Sequence, residues 1–379
     1  MVTHFRNWNA WAGFFVLMLL VGVALSTSGC SKPQPEPVAQ VELPDENALR
    51  DRLDRALTFT YNNRHLSAGD QAAWQIVHGA LAYGPAFEIY VDGKLTPAMA
   101  YLLGGGKLRG WEMRKGDKGV VAVLEPGSKM GQGHPDQWLG YLSQCGLSLD
   151  DKLVVNGQDF TVRNLLTQAQ WDMYDGMEGT WTLMAFTGYL PLDAEWTAKD
   201  GQKWNFARLA KMEAGQSLDD SACGGTHRLY ALTIARNKFL ESGGKFTDNP
   251  TGAWELVDHK INNAVADARE FQQPDGSFSA NYFSRAASTP EIGDRISTTG
   301  HVLEFLTVAL DDEQLKQPWV TRAVVQLVDS LEKTQKFPLE CGALYHAVHG
   351  LKIYRERMYG PIDTLTPSGE AANPVAAAK

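Results

Sequence analysis

Cysteine is scarce in this chain: four in 379 residues. One, Cys30, lies in the N-terminal segment, which leaves Cys145, Cys223 and Cys341. An odd number of that size describes no disulfide framework and allows at most one bridge. Positive charge is also short. Thirty-five Lys and Arg stand against 44 Asp and Glu, giving a formal net charge of −9 and a pI near 5.5. That balance provides no electrostatic footprint for nucleic acid, so no nucleic-acid partner is expected. The glycines of "LLGGGKLRG" lack the spacing and strand-to-helix context of a phosphate loop, and no Gly-x-Ser-x-Gly elbow occurs. There is one long apolar run, "WAGFFVLMLLVGVAL" at residues 11–25. It falls short of the roughly 20 apolar residues of a membrane-spanning helix and suits the core of a signal peptide.

The flanks of that run agree. "MVTHFRNWNA" carries Arg6 as its positive charge, and "STSGC" closes the run with Ser28 and Gly29 before Cys30. This resembles a bacterial lipoprotein signal, although Thr27 stands where that family usually has Leu. The resemblance implies lipidation of Cys30, an N-terminal lipid anchor in a membrane, and a place in the cell envelope on the periplasmic side or at the cell surface. An ordinary secretory signal or an uncleaved anchor would equally export the rest. Residues 31–46, "SKPQPEPVAQVELPDE", read as an extended, solvated linker, and residues 359–379 as a tail of the same character. About 310 residues remain between them, enough for one large core or two smaller ones.

What that middle contains is repetition. From Thr161 onward, amphipathic segments come in pairs: "TVRNLLTQAQWDMY" with "DGMEGTWTLMAFTGYL", "WNFARLAKMEAGQ" with "DDSACGGTHRLYALTIARNKFL", "WELVDHKINNAVADAREFQQPDGSF" with "STTGHVLEFLTVAL", and "PWVTRAVVQLVDSLEKTQ" with "ECGALYHAVHGLKIY". The first member of each pair has a polar face; the second is apolar on nearly all sides and must be buried. "ALRDRLDRALTFTY" with "DQAAWQIVHGALAYG" reads as an earlier pair, and "GQGHPDQWLGYLSQCGL" as a further inner helix. Residues 85–127 differ in texture. "VDGK", glycine clusters and a Val-rich run predict a small β-hairpin insertion there. The expectation is an all-α domain over residues 47–358, with outer and inner helices in layers.

"QQPDGSF" at residues 272–278 ends an outer helix on a Pro-Asp-Gly turn and an aromatic residue. Alternating outer and inner helices joined by a Gln, Asp-Gly and aromatic motif resemble the α/α-toroid proteins related to terpenoid cyclases and protein prenyltransferases. Gln272 or Gln273, Asp275, Gly276 and Phe278 carry the match. The resemblance speaks to architecture and barely to activity. It implies that inner helices begin around a common mouth, with Phe278 filling the gap between neighbouring outer helices.

Histidine recurs in the inner segments: His78, His134, His227, His301, His346 and His349, with Trp181 in the matching place of the remaining pair. Three readings of that register stay open. The first is a metal site. Cys223 and His227 stand four apart, on one helix face, and Cys341 with His346 and His301 could approach from other inner helices; zinc accepts Cys and His in tetrahedral geometry. The toroid prenyltransferases and lanthionine cyclases hold zinc in a comparable way. However, Asp220 lies three residues before Cys223 rather than in an Asp-x-Cys arrangement, and "ECGALYH" is not a Cys-His-Gly motif. The second reading is acid–base catalysis on a glycan, with Asp220, Glu178 and Glu340 as candidate carboxylates beside Asp219. Acidic residues at helix starts are also expected from capping alone. No Asp-x-Asp-Asp cyclase motif and no Gly-Cys-Gly-Glu-Gln thioester is present. The third reading, taken as the leading one, is a His- and Cys-lined central cavity that binds an unknown ligand or partner. A Cys223–Cys341 disulfide would compete with zinc for the same thiols.

Overall fold

The computed structural model describes residues 43–362. The signal segment, Cys30, most of the linker and nearly all of the tail lie outside the described residues. Among those described, thirteen α-helices and nine short strands form a mostly helical fold, and no helix is long and apolar enough to cross a membrane. In chain order the helices are α1 (Glu46–Asn63), α2 (Ala73–Tyr83), α3 (Ala98–Leu103), α4 (Gln137–Gln144), α5 (Val162–Asp172), α6 (Thr180–Tyr189) and α7 (Phe206–Ala214). They continue with α8 (Thr226–Glu241), α9 (Ala253–Glu270), α10 (Ile292–Ala309), α11 (Asp312–Leu315), α12 (Pro318–Lys333) and α13 (Cys341–Tyr359).

Capping chemistry sets several of these starts. Asp45 accepts from Ala48 N at 2.9 Å to open α1, and Asn205 accepts from Arg208 N at 2.9 Å to open α7. Pro318 takes the first position of α12, where its missing N–H costs nothing. Burial then separates two kinds of helix. In α9 only Val257, Ile261, Ala264 and Ala268 are buried, one stripe at helical spacing. In α6 every residue from Thr180 to Thr187 is buried, as a helix apolar all round requires.

The packing order follows from that contrast. Helices α2, α4, α6, α8, α10 and α13 each pack on the next in that order, and α13 packs back on α2. Helices α7 and α9 lie against each other outside them, as do α1 and α12. The "QQPDGSF" junction serves this outer layer. Gln272 donates to Gly276 O and Trp319 O at 2.9 and 2.8 Å, tying the end of α9 to the start of α12. Phe278, 2 % exposed, meets Trp319 edge to face at 6.1 Å.

The expected insertion contains β2 (Glu88–Val91) and β3 (Lys94–Pro97), joined through Asp92 and Gly93 at positive φ, with β1 (Leu66–Ser67) paired parallel to β2. It also holds β4 (Met113–Lys115) and β5 (Val120–Ala122), together with α3, which the sequence reading did not anticipate. Two more hairpins lie outside it: β6 (Lys152–Val155) with β7 (Gln158–Thr161), and β8 (Glu195–Thr197) with β9 (Lys203–Asn205).

Helices α10 and α13 pack closely against each other. A Cβ on Gly300 would lie 2.6 Å from Ala347 Cα, and one on Gly350 would lie 2.9 Å from Glu304 N. The two helices therefore touch backbone to backbone. Helix propensity alone makes Gly→Ala favourable by about 1 kcal/mol. At Gly300 overpacking reverses the sign, and Gly300→Ala is expected to destabilise the domain by about 1–3 kcal/mol. Denaturant midpoints at constant m-value check this; a stabilised variant would contradict the contact.

Candidate metal centre

Helix α8 begins at Thr226 after a short 3₁₀ turn, Ala222–Gly225. Cys223, Gly224 and Gly225 all take left-handed backbone conformations there, with φ of 51°, 61° and 80°. Cys223 therefore precedes the helix, and the expectation that it shares a helix face with His227 is corrected: the turn, not helical spacing, brings the thiol back toward the imidazole. A left-handed non-glycine residue costs on the order of 1–3 kcal/mol, which the surroundings must supply. Gly224 is required by packing as well, since a Cβ there would lie 2.2 Å from the Tyr282 ring. Below the turn, fully buried Glu213 accepts from Gly179 N (2.8 Å), Thr180 Oγ1 (2.8 Å) and Arg228 Nε (2.9 Å). Arg228 also donates to Ser217 O at 2.6 Å and to the Ser221 hydroxyl. This buried ion pair holds the start of α8 to α6 and α7.

Around that turn the imidazoles converge. Ring centroids are 5.3 Å apart for His227 and His301, 4.8 Å for His227 and His346, 4.2 Å for His301 and His346, and 5.0 Å for His78 and His346. One donor atom each from Cys223, His227 and His301 lies within 4.8 Å of the others, and the same holds for His227, Glu304 and His346. All these residues are buried except Cys223, which is partly exposed and marks the side nearest solvent.

Hydrogen bonds fix the tautomers. His301 Nδ1 donates to Ser297 O at 2.7 Å and His78 Nδ1 to Trp74 O at 2.5 Å. His346 and His349 donate from Nδ1 to the two oxygens of Glu304, at 2.8 and 2.5 Å. A carbonyl or carboxylate oxygen only accepts, so each Nδ1 carries the proton, and the neutral ring keeps its lone pair on Nε2. In His78 that lone pair accepts from Tyr141 OH at 3.3 Å. In His346 it remains for an incoming group, whereas the corresponding nitrogen of His301 is the one that meets the Cys223 thiol. An imidazole whose far nitrogen donates to a carboxylate or carbonyl is the usual arrangement of a metal-binding histidine.

Electrostatics point the same way. Burial, and then the neighbouring imidazoles, hold His78 and His227 well below the ordinary histidine value, and burial lowers His346 despite Glu304 beside it. Burial alone would raise Glu304, but the N–H donors of His346 and His349 more than offset it and hold the carboxyl well below its usual range. At Cys223 burial opposes ionisation, yet the adjacent His301 prevails and lowers the thiol. Reciprocally, burial would lower His301, while the Cys223 thiolate raises it to about 9. The favoured thiolate of Cys223 and carboxylate of Glu304 bring two acidic groups into one buried cluster, a setting that a bound cation stabilises.

The other sequence candidates are placed elsewhere. Cys341 belongs to neither donor group; burial and Glu340 push its thiol up to about 11. Cys223 and Cys341 are both free thiols, so the Cys223–Cys341 disulfide is not formed: the Cys223 thiol is paired with His301 instead. Glu340 caps α13 by accepting from Ala343 N at 2.8 Å. Asp220 is exposed, and Asp219 accepts from the Ser284 hydroxyl. Glu178 accepts from His134 Nδ1 at 2.9 Å, and His134 stacks on Trp181, which in turn lies 5.2 Å from His227. His301 stands in the third turn of α10 rather than its first, because the helix begins at Ile292, five residues before the expected Ser297. The functional residue the sequence reading missed is Glu304. Its signal was a single carboxylate in the otherwise apolar "STTGHVLEFLTVAL", three residues after His301.

Two larger spaces lie apart from this cluster. One is a groove of about 960 Å³ that includes Arg236, Lys238 and Arg357; the other is a cleft of about 430 Å³ that includes Lys107 and Trp111. The imidazoles themselves stand too close for an organic molecule to enter among them; the space suits an ion or a water. No family model, no curated protein and no solved structure matches the chain.

The depressed histidines give a pH prediction for protein stripped of metal. A histidine that stays neutral when folded but binds a proton near pH 6.5 when unfolded stabilises the fold above that pH and loses its contribution as pH falls. Each contributes about 1.4 kcal/mol per pH unit in that window. With His78, His227 and His346 all lowered, stability should fall by about 3–4 kcal/mol per unit below roughly pH 6.5. The Cys223–His301 pair moves its proton internally and adds little net slope near neutrality. Denaturant unfolding at pH 5.5 and 7 checks this, and equal stabilities would contradict neutral buried imidazoles.

Proposed function

We propose that this chain is a metal-dependent enzyme built on an α/α toroid, with a single zinc-type ion held by Cys223, His227 and His301. One observation carries the reading: a thiol and two imidazoles bring donor atoms within 4.8 Å of one another, and the Nδ1 of His301 is already committed to a backbone carbonyl. Two imidazoles on one tetrahedral ion have centroids about 5 Å apart, given Zn–N distances near 2.0–2.1 Å. The His227–His301 spacing of 5.3 Å is close to that value. The succession of inner helices that returns from α13 to α2 supports the toroid, and through it the likeness to the prenyltransferase and terpenoid cyclase class. An exported, lipid-anchored setting remains part of the proposal.

Three protein ligands leave one position open, the arrangement of catalytic rather than structural sites. An ion bound there supplies a Lewis acid that acidifies water at neutral pH. The protein supplies the rest. His346, whose ring lies 4.8 Å from that of His227 and 4.2 Å from that of His301, would be the neighbouring proton acceptor, with its Nδ1 held by Glu304. Glu304, held also by His349, keeps His346 in the tautomer that accepts a proton. Substrate must approach from the side of Cys223, the partly exposed member. The acid–base reading on Asp220, Glu178 and Glu340 has less support, because Glu340 is engaged in a cap and Asp220 faces solvent. The cavity-binding reading has less as well, because of the ring spacing.

Metal analysis of the purified full chain should find about one equivalent of zinc, removable by chelation. Cobalt substitution should give a thiolate-to-metal charge-transfer band that Cys223→Ser abolishes. His227→Ala and His301→Ala should each cut the zinc content well below one equivalent, because each removes a ligand. Protein that takes up no ion, or a cobalt spectrum indifferent to Cys223→Ser, would overturn the reading.

A further inference from the structure

The solvent side of the cluster is closed by one loop. Between α9 and α10 the chain doubles back on Ser279, which is buried: its hydroxyl donates to Arg285 O (2.6 Å) and accepts from Asn281 N and Ala287 N (both 3.1 Å). Ala280 N reaches Ala287 O at 2.9 Å, so the base of the loop is pinned. Its tip is a different matter. Tyr282 sits at φ 52°, a left-handed conformation that a tyrosine rarely holds, and its side chain fills the space beside Gly224, next to Cys223. Phe283 anchors one side by meeting Phe305 of α10 edge to face at 5.9 Å. Two side-chain ties hold the tip: the Tyr282 hydroxyl is hydrogen-bonded to Ser297 of α10, and the exposed Ser284 hydroxyl donates to Asp219, a residue of the segment leading into the Cys223 turn.

We infer that residues 280–287 form a lid over the candidate metal centre, with Tyr282 as the gate above Cys223 and the Ser284–Asp219 hydrogen bond as its latch. The lid rests on the proposed reading of the site, since it regulates access to that same centre. It explains three features that packing alone leaves unrelated. Position 224 must be glycine because the Tyr282 ring occupies the place of a side chain. Tyr282 is held in a conformation from which it is released when the loop opens. Asp219, which the metal ligands do not use, has a partner across the mouth. Opening requires the Ser284–Asp219 and Tyr282–Ser297 hydrogen bonds to break while Ser279 keeps the base fixed, so the motion is local and belongs to the low-stability end of the molecule's openings. A lid of this size also shapes the substrate class: the reacting group must enter past an aromatic ring beside Cys223, which favours a slender group over a bulky one at the open position.

The test uses the full chain in the presence of a chelator, with N-ethylmaleimide as the probe and each cysteine followed separately by peptide mass spectrometry. Cys341, partly exposed at the start of α13, is the internal reference, and buried Cys145 reports global opening. Ser284→Ala and Asp219→Asn, both at exposed positions, should each raise the labelling rate of Cys223 by about tenfold relative to Cys341. That is the effect expected from losing one charge-assisted hydrogen bond from the closed state. Tyr282→Gly should raise it further. Unchanged Cys223 labelling in all three variants overturns the lid, and so does a rise in Cys223 labelling accompanied by an equal rise at Cys145, which would mean general unfolding. Because labelling is read on chelated protein, the lid can stand or fall separately from the metal: zinc content of the same variants should equal that of the unmodified chain.

Discussion

The contact between α10 and α13 is the constraint from which the site follows. Gly300 and Gly350 let the two backbones meet, and that approach sets Glu304 between His346 and His349. A larger residue at either glycine would separate the helices and leave a buried carboxylate without its donors. Such a group costs several kcal/mol unless it is paired, so the close crossing and the carboxylate are one requirement rather than two. His301 lies on the same helix as Glu304, one turn earlier, and inherits its position from the same crossing.

The second support is the start of α8. The Glu213–Arg228 pair, buried between α6, α7 and α8, fixes a turn whose three left-handed residues would otherwise relax. Strain at Cys223 is sustained because the turn is held from below by that pair and from above by the Tyr282 ring. Thiol and imidazole then meet in a medium where burial opposes each charge alone and only their proximity keeps both. The chemistry proposed here therefore depends on two preorganised supports, one covalently distant from the other and both built from residues that touch no substrate.

Much of this was legible in the sequence. Paired amphipathic segments located α5 to α10, α12 and α13, with ends displaced by up to several residues, because a helix that is apolar all round and one with a single stripe leave different patterns. Histidine in the inner helices pointed to His227, His301 and His346, and Cys223 was singled out with them. The failures have physical causes. Cys341 shares the local pattern of Cys223, but one-dimensional pattern carries no information on which helix start faces the cluster. Glu340 and the acidic residues before α8 look alike in sequence, and only geometry separates a cap from a latch. The β6–β7 hairpin was marked by Asn156-Gly157, a strong two-residue turn signal, and was overlooked beside the helical repeat. Tyr282 had no signal at all, because left-handed strain is a property of the folded loop.

The central claim is that a thiolate and imidazoles from separate helices share one ion. X-ray absorption at the zinc edge of the loaded protein tests it most directly. The account predicts a first shell containing one sulfur at about 2.3 Å and at least two nitrogens at about 2.0–2.1 Å. A shell of light atoms alone, with no sulfur scatterer, would contradict it.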